Sequence, residues 1–477
     1  MYAKELDCAL YPTSVAVVGA SENSTSSGYN FLRHLIDYKF SGRIYPVNPN
    51  QQEILGLQAY PTLKEIPESV DFVICCIPAP KVFDLLPECH EKEVKVLHLF
   101  TARMSETGSE DGARLEKEIL KEIRRMGIRL IGPNCMGVYS PASGISFGYE
   151  FPKESGPLGM FFQSGGAATE FVRYANLRGI RFSKVISYGN ALDLNESDFL
   201  EYFTHDTETK VIASYMEGTK DGQRFVDTLH KATSVKPVVI LKAGRGTAGS
   251  RAAASHTAAM AGSSKMWESA LLQAGAIQAR TMDELLDLVV SFCFTKPILG
   301  NSVGIVGGGG GRSVLSADIW EEAGFYLKPL PSAIREEIKK TTQETWWNWV
   351  ENPVDVSIMP DQHLRGNLLR SMAKNPEYDL IIVNVTVESP RGKEQLIASI
   401  KEEADDIIQV KEEGKKPVAA VLNTGPLGIE DFENWRWRLI AEQKSRLIAA
   451  QVPVFSSVGQ AAETLSRVAQ YYQKRKS

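Results

Sequence analysis

One imidazole is placed where it can do chemistry. His256 lies in "SHTAAMAGS", residues 255 to 263, just downstream of the glycine-rich "KAGRGTAGSRAAA", in a chain with seven histidines. A histidine kept for its bulk has larger apolar neighbours. Small ones leave the ring free to move or to be reached, which suits a side chain that titrates near neutral pH.

Other candidate chemistry sits in three turns. "SVAVVGASENSTSSGYNFLRHL", "LGMFFQSGGAATEFVRYANL" and "SVGIVGGGGGRSVLSADIWEEAG" each read as an apolar strand, a small-residue turn and a helix. Unpaired N–H groups at a helix start attract anions. The dipole contributes only ~0.3–1 kcal/mol, so each turn alone serves equally well as a structural turn.

The elements that position these turns alternate between β-branched runs and helical patterns, which predicts parallel sheets covered by helices. The three units recur about every 145 residues, one domain apiece. The expected fold is α/β, with three consecutive doubly wound domains: residues 1–145, 146–298 and 299–477. The first boundary is expected in the Gly/Ser/Pro-rich "SPASGISFGYEFPKESGP", the second near "TKPILGNS".

Two nucleotide readings fail on residue type. The turn from Gly19 to Gly28 lacks the G-x-G-x-x-G pattern, and Asn48-Pro49-Asn50 stands where a nicotinamide dinucleotide site wants an acid for the ribose. A different phosphate-bearing adenine cofactor fits better. Residues 306 to 313, "VGGGGGRS", have Val306 and Arg312 where a triphosphate loop needs Gly and Lys, so they read first as a close-packing turn and second as an anion site.

Composition excludes several classes. Net charge is -5 with both signs interspersed, and there is no basic stripe, so no nucleic-acid partner is expected. Six scattered cysteines read as reduced thiols, no Cys/His spacing suggests a metal, and no segment reaches the ~18 apolar residues of a membrane span. A cytoplasmic protein meeting small molecules or other proteins is the expectation.

"VAVVGAS", "GRIYPVNPN", "EILGLQAYPTLKEIP", "GPNCMG", "QSGG", "KAGRG" and "SHTAAMAGS" occur in this order, followed by "NPVD" at Asn352 to Asp355. On these motifs the whole chain resembles the α subunit of nucleoside-diphosphate-forming acyl-CoA synthetases, the superfamily of succinyl-CoA synthetase and ADP-forming acetate–CoA ligases. The resemblance implies a Rossmann-like CoA-binding domain followed by two flavodoxin-like domains, similar to those of succinyl-CoA synthetase. It implies coenzyme A phosphates at Gly19, Ala20 and Ser21. The nucleotide would run along Pro46, Val47, Asn48 and Pro49 and along Ile77-Pro78, with Asn134 near the pantetheine end. It makes His256 a phosphohistidine, Glu217 its carboxylate partner, and Ser164, Gly165 and Gly166 the phosphate-holding helix start.

The activity implied is reversible conversion of acyl-CoA, phosphate and ADP to acid, CoA and ATP. ATP/ADP and Mg2+ would be bound by an ATP-grasp β subunit in an α2β2-like hetero-oligomer, because this chain has no triphosphate site of its own. The acid would be a small carboxylic acid. The competing expectation is a non-catalytic CoA or acyl-CoA sensor, against which stands the retention of both His256 and Glu217.

The chain departs from the family pattern at Asn50, where a lysine is common. Loss of one charge-assisted contact costs ~1.5–3 kcal/mol, and Lys39 or Arg43 are the expected substitutes. Ala258 replaces a glycine. Trp346, Trp347, Trp349, Trp435 and Trp437 read first as packing between domains and second as an aromatic wall for a bulky acyl group. His34 and His230 read as surface or boundary residues, His98 as a core histidine and Cys135 as a packed small residue.

Overall fold

The computed structural model describes residues 4–249, 251, 264–340, 345, 348, 350–359, 362–385, 387, 392–422 and 434–476. The chain divides into two compact units, Met1–Val289 and Val290–Ser477. The first unit holds two sheets.

Its first sheet comprises β1 (Ser14–Val18), β2 (Arg43–Val47), β3 (Phe72–Cys75), β4 (Val96–Leu99) and β5 (Arg129–Ile131), in the order β2-β1-β3-β4-β5. All neighbours are parallel. Every residue of β1, β3 and β4 is buried, as continuous apolar runs require when helices cover both faces. The order reverses at β1, so a crevice forms beyond the carboxyl ends of β1 and β3. Helix α1 (Ser27–Asp37) follows the turn after β1, and α2 (Glu110–Met126) packs behind β5.

The second sheet comprises β6 (Gly137–Tyr139), β7 (Ser155–Phe162), β8 (Phe182–Ser187), β9 (Val211–Met216), β10 (Val238–Lys242) and β11 (Ile277–Ala279), in the order β11-β10-β9-β7-β8-β6. Only β6 is antiparallel. The reversal here falls at β7, between β8 and β9, and α3 (Gly165–Leu177) opens directly from it.

The segment in which the first boundary is expected carries two buried rings. β6 pairs with β8, and Phe147 and Phe151 are buried against Tyr139. Its Gly, Ser and Pro content did not point to these two rings, which pack on each other and on Tyr139.

The second unit carries a parallel sheet of β12 (Val303–Gly307), β13 (Leu380–Val385), β14 (Val418–Leu422) and β15 (Val454–Phe455), in that order. Asn352 stitches the edge of β12: its Oδ1 accepts from Ile305 N at 2.9 Å, and its Nδ2 donates to the carbonyls of Val303 and Lys328 at 2.8 and 2.9 Å. Gly307 has φ +104°, and a Cβ there would lie 2.2 Å from the Asn384 carbonyl oxygen. The turn is thus closely packed against its neighbouring strand. Trp435 packs on the core of its own unit, whereas Trp346, Trp347 and Trp349 lie outside the described residues.

Candidate functional site

In the first unit the carboxyl ends of both sheets contribute to one cavity of about 920 Å³, near the top of the usual range for ligand sites. Of the residues singled out in the sequence, Ile77, Pro78, Asn134, Cys135, Ser164, Gly165 and Gly166 line it. Strand ends place them there. Ile77-Pro78 follow β3, Asn134 follows β5, and Ser164 follows β7.

Ser164 caps α3, its Oγ accepting from Ala167 N at 3.4 Å. The N–H groups of Gly165 and Gly166 therefore head the helix ahead of its intrahelical bonding. A Cβ on Gly166 would meet nothing within 4 Å, so this helix start faces open space, whereas one on Gly165 would meet Met136 Cγ at 2.7 Å. Such a helix start is suited to hold an oxyanion.

Gly19, Ala20, Ser21, Val47, Asn48 and Pro49 do not line the cavity; they form the adjoining turns after β1 and β2. The amides of Gly19 and Ala20 both donate to Val47 O, at 3.0 and 3.2 Å. Those two donors are already engaged within the fold, and Ser27, at the start of α1, lines the cavity. Asn48 Nδ2 donates to Ala20 O at 2.7 Å, locking the two turns together. Gly28 has no room for a side chain, since its Cβ would lie 1.9 Å from Gly19 O. This lets α1 pack close beneath the turn.

The expected substitutes for the absent lysine do not fit. Arg43 begins β2, roughly 13 Å from Val47 at the usual strand rise, and pairs with Glu68. Lys39 precedes it on that same side of the sheet. Sequence proximity to "NPN" misled, because a strand carries the chain from one sheet edge to the other.

Glu217 directly follows β9 and is buried. Its backbone N–H donates to Gln163 Oε1 at 2.7 Å, and Gly218 N–H donates to the same atom at 3.3 Å. Tyr215 Oη donates to Glu217 Oε1 at 3.4 Å. Lys242, buried at the end of β10, is pushed below the ordinary lysine range by burial, with Glu217 opposing. His256 and Ala258 lie outside the described residues.

Three polar residues of this region were not anticipated. Gln163 and Arg103 line the cavity, and Asn190 stands behind it. Asn190 Oδ1 accepts from Asn134 Nδ2 at 3.4 Å, while its own Nδ2 donates to Glu106 and Glu116 at 2.8 and 3.0 Å. Lys220 donates to Ala191 O at 2.9 Å; burial lowers its affinity for a proton, and Glu116 and Glu196 oppose that. The available signals were position after a strand for Arg103 and membership of "QSGG" for Gln163. Asn190 had none.

The remaining candidates separate cleanly. His98 is buried, its Nε2 lies 3.1 Å from Cys135 O, and burial pushes its pKa down to about 4, so it is a neutral core histidine. Burial raises the Cys135 thiol, which keeps it protonated. Of the two histidines expected at surface or boundary positions, His230 is exposed, whereas His34, on α1, is buried at 9% exposure. Its helical pattern did not reveal what packs over it. Among the described residues there is no group of three or more His, Cys, Asp or Glu able to hold a metal, and no helix long and apolar enough to cross a membrane.

Two doubly wound sheets thus share one large cavity at their carboxyl ends, and the comparisons give this α/β architecture its class. Residues 13–141 match the CoA binding domain, and residues 155–292 match the succinyl-CoA ligase like flavodoxin domain. The α subunit of ADP-forming acetate–CoA ligase II from Pyrococcus furiosus is 37% identical over 425 residues, 88% of this chain and 90% of that one. The ADP-forming 4-hydroxybutyrate–CoA ligase of Nitrosopumilus maritimus is 30% identical over 454 residues, 93% of this chain and 63% of that one. The dinucleotide-forming acetyl-coenzyme A synthetase 1 of Ca. Korarchaeum cryptofilum, in complex with phosphate and ADP, superposes with a TM-score of 0.85 at 29% identity, covering 99% of this chain and 97% of that one. The chain belongs to the family of ADP-forming acid–CoA ligase α subunits.

Proposed function

We propose that this chain is the coenzyme A- and phosphate-handling half of a cytoplasmic acid–CoA ligase, working through a phosphohistidine at His256. Phosphate attacks the thioester carbonyl of acyl-CoA, the carbon–sulfur bond breaks, and CoA leaves as acyl phosphate forms. An imidazole nitrogen of His256 then attacks phosphorus, and the carboxylic acid leaves as its carboxylate. Transfer to ADP regenerates the histidine and yields ATP.

Glu217 fixes the tautomer of the ring and stabilises the positive charge that develops on it. The start of α3, with Ser164, Gly165 and Gly166, holds the phosphoryl oxygens. The adenine nucleotide and Mg2+ belong to an ATP-grasp β subunit in an α2β2-like assembly. The small residues around His256 suit a segment that serves both sites. Residues 1–145, 146–298 and 299–477 are the proposed domains. The acid is a small carboxylic acid, whose identity family membership leaves open because the relatives named above differ in it.

The observation that carries this reading is the shared cavity. Ile77, Pro78 and Asn134 reach it from one sheet, and Ser164 to Gly166 from the other, so a thioester and a helix-bound phosphate can meet there. The test is to combine the chain with a matching β subunit and supply acyl-CoA and labelled phosphate. Acid-labile label on the wild-type chain and its absence from His256→Asn is the expected result. Label retained by that variant, or undiminished ligation, overturns the reading.

A further inference from the structure

A second cavity of about 240 Å³ lies alongside the first, and the two share Ser27, Phe100 and Met136 as walls. Four aromatic rings, Phe31, Phe100, Phe147 and Tyr149, contribute to its lining beside polar side chains. A dry cavity of ~150 Å³ accommodates benzene, so this one has space for a short acyl chain.

Two polar groups in that lining lack partners. His34 is 9% exposed, and its Nδ1 is buried without a hydrogen bond. Arg173 Nε is likewise buried without one, while its guanidinium carbon stands 4.4 Å from the ring centroid of Tyr149. Buried polar atoms in folded proteins are nearly always paired, so two in one cavity point to an occupant that can hydrogen-bond. Burial holds the His34 imidazole below the usual histidine range against the opposing pull of Asp37, leaving Arg173 as the permanent charge.

The helix geometry connects this cavity to the reaction. Gly165, Thr169 and Arg173 recur every four residues and so share one face of α3. The Thr169 hydroxyl donates to Gly165 O at 3.0 Å, and both Thr169 and Arg173 line the smaller cavity. From the helix start to Arg173 the rise is roughly 12 Å. An acyl group whose carbonyl lies at the helix start can send its tail along this face.

We infer that the smaller cavity is the acyl-tail subsite, and that His34 and Arg173 select acids whose tail ends in a hydrogen-bond-accepting oxygen, a carboxylate or a hydroxyl. This rests on the ligase reading above. The test uses the chain with its β subunit and two matched series: butyrate, 4-hydroxybutyrate and succinate, then hexanoate, 6-hydroxyhexanoate and adipate. In at least one series, kcat/KM for an oxygen-terminated acid should exceed that for its methyl-terminated partner at least tenfold. Arg173→Met and His34→Leu should each lower that ratio at least fivefold, and His34→Gln should restore it. Arg173→Lys, which keeps the charge, provides the comparison if the methionine variant does not fold.

A wild-type ratio near one in both series overturns the inference, as does a ratio unmoved by the substitutions. Either result leaves the ligase reading intact. Absence of ligation with every acid overturns that reading, and the inference with it.

Discussion

The backbone N–H of Glu217 donates to the side-chain oxygen of Gln163 at 2.7 Å, tying the ends of β9 and β7 across the point where strand order reverses. Gln163 N in turn donates to Tyr215 O at 3.0 Å. The residue leading into α3, the helix proposed to hold phosphate, thereby fixes the start of the turn that carries Glu217, the carboxylate proposed to partner His256.

Gln163→Leu removes the acceptor shared by Glu217 N–H and Gly218 N–H in a buried setting. An unmet buried donor costs about 1–3 kcal/mol, enough to let the Glu217 segment shift. The expected result is a drop in kcat of at least tenfold with little change in KM for CoA. Gln163→Glu keeps an acceptor in place and should recover most of the activity. Equal loss from both variants would assign Gln163 a role other than holding this turn.

Two glycines should behave oppositely. Gly28→Ala places a Cβ where only 1.9 Å separates it from Gly19 O, a backbone atom that cannot swing aside. Overpacking of this kind costs about 3 kcal/mol or more, and calorimetry should register a lowered melting temperature together with weakened CoA binding. Gly166→Ala meets no atom within 4 Å and should melt like the wild type. Its methyl group instead crowds the open helix start, so its effect should appear in KM for phosphate.

Much of this organisation was legible from strand–turn–helix patterns. Ile77-Pro78, Asn134 and Ser164 to Gly166 all follow apolar runs, and parallel sheets deliver every such strand end to one edge. What stayed hidden depends on tertiary neighbours. That Val47 O occupies the amides of Gly19 and Ala20 follows from pairing of β1 with β2, which local sequence does not specify. Asn190 matters through Glu106 and Glu116, more than seventy positions away in the chain. That His34 lines a cavity together with Phe147 and Tyr149, more than a hundred positions away, was likewise not legible locally.

The His98 imidazole gives the first unit a specific acid sensitivity. Its folded pKa is pushed from 6.5 to about 4 by burial. The sign follows from proton uptake. Between pH 6.5 and 4 the unfolded chain binds a proton that the folded chain refuses, so stability is full above pH 6.5 and falls as pH drops toward 4. At 1.36 kcal/mol per pH unit the loss reaches about 3 kcal/mol. His98→Gln retains a donor for Cys135 O and does not titrate. Urea midpoints at pH 7 and pH 4.5 should therefore converge in this variant relative to wild type; equal acid shifts in both proteins would place the sensitivity elsewhere.

Asn190 connects the cavity to two acids, Glu106 and the buried Glu116, and supplies a side-chain donor to both beside backbone N–H groups. Its Nδ2 donates to both Glu106 and Glu116, and Glu116 is only 7% exposed. Asn190→Asp replaces that donor with a third carboxylate. Breaking a buried charge network in this way costs about 3 kcal/mol at pH 8. The new acid is raised by its like-charged neighbours, so it takes up a proton in the folded state more readily than in the unfolded chain. The destabilisation should consequently shrink as pH falls from 8 to 5, opposite in sense to the His98 effect. Asn190→Ala removes the donor without adding charge, so its deficit should vary little over that range. Asn190→Ala also releases Asn134, whereas the aspartate keeps an oxygen that can accept from Asn134 Nδ2. The alanine variant should therefore raise KM for CoA more than it lowers kcat; a loss confined to kcat would mean that Asn134 is not held for binding.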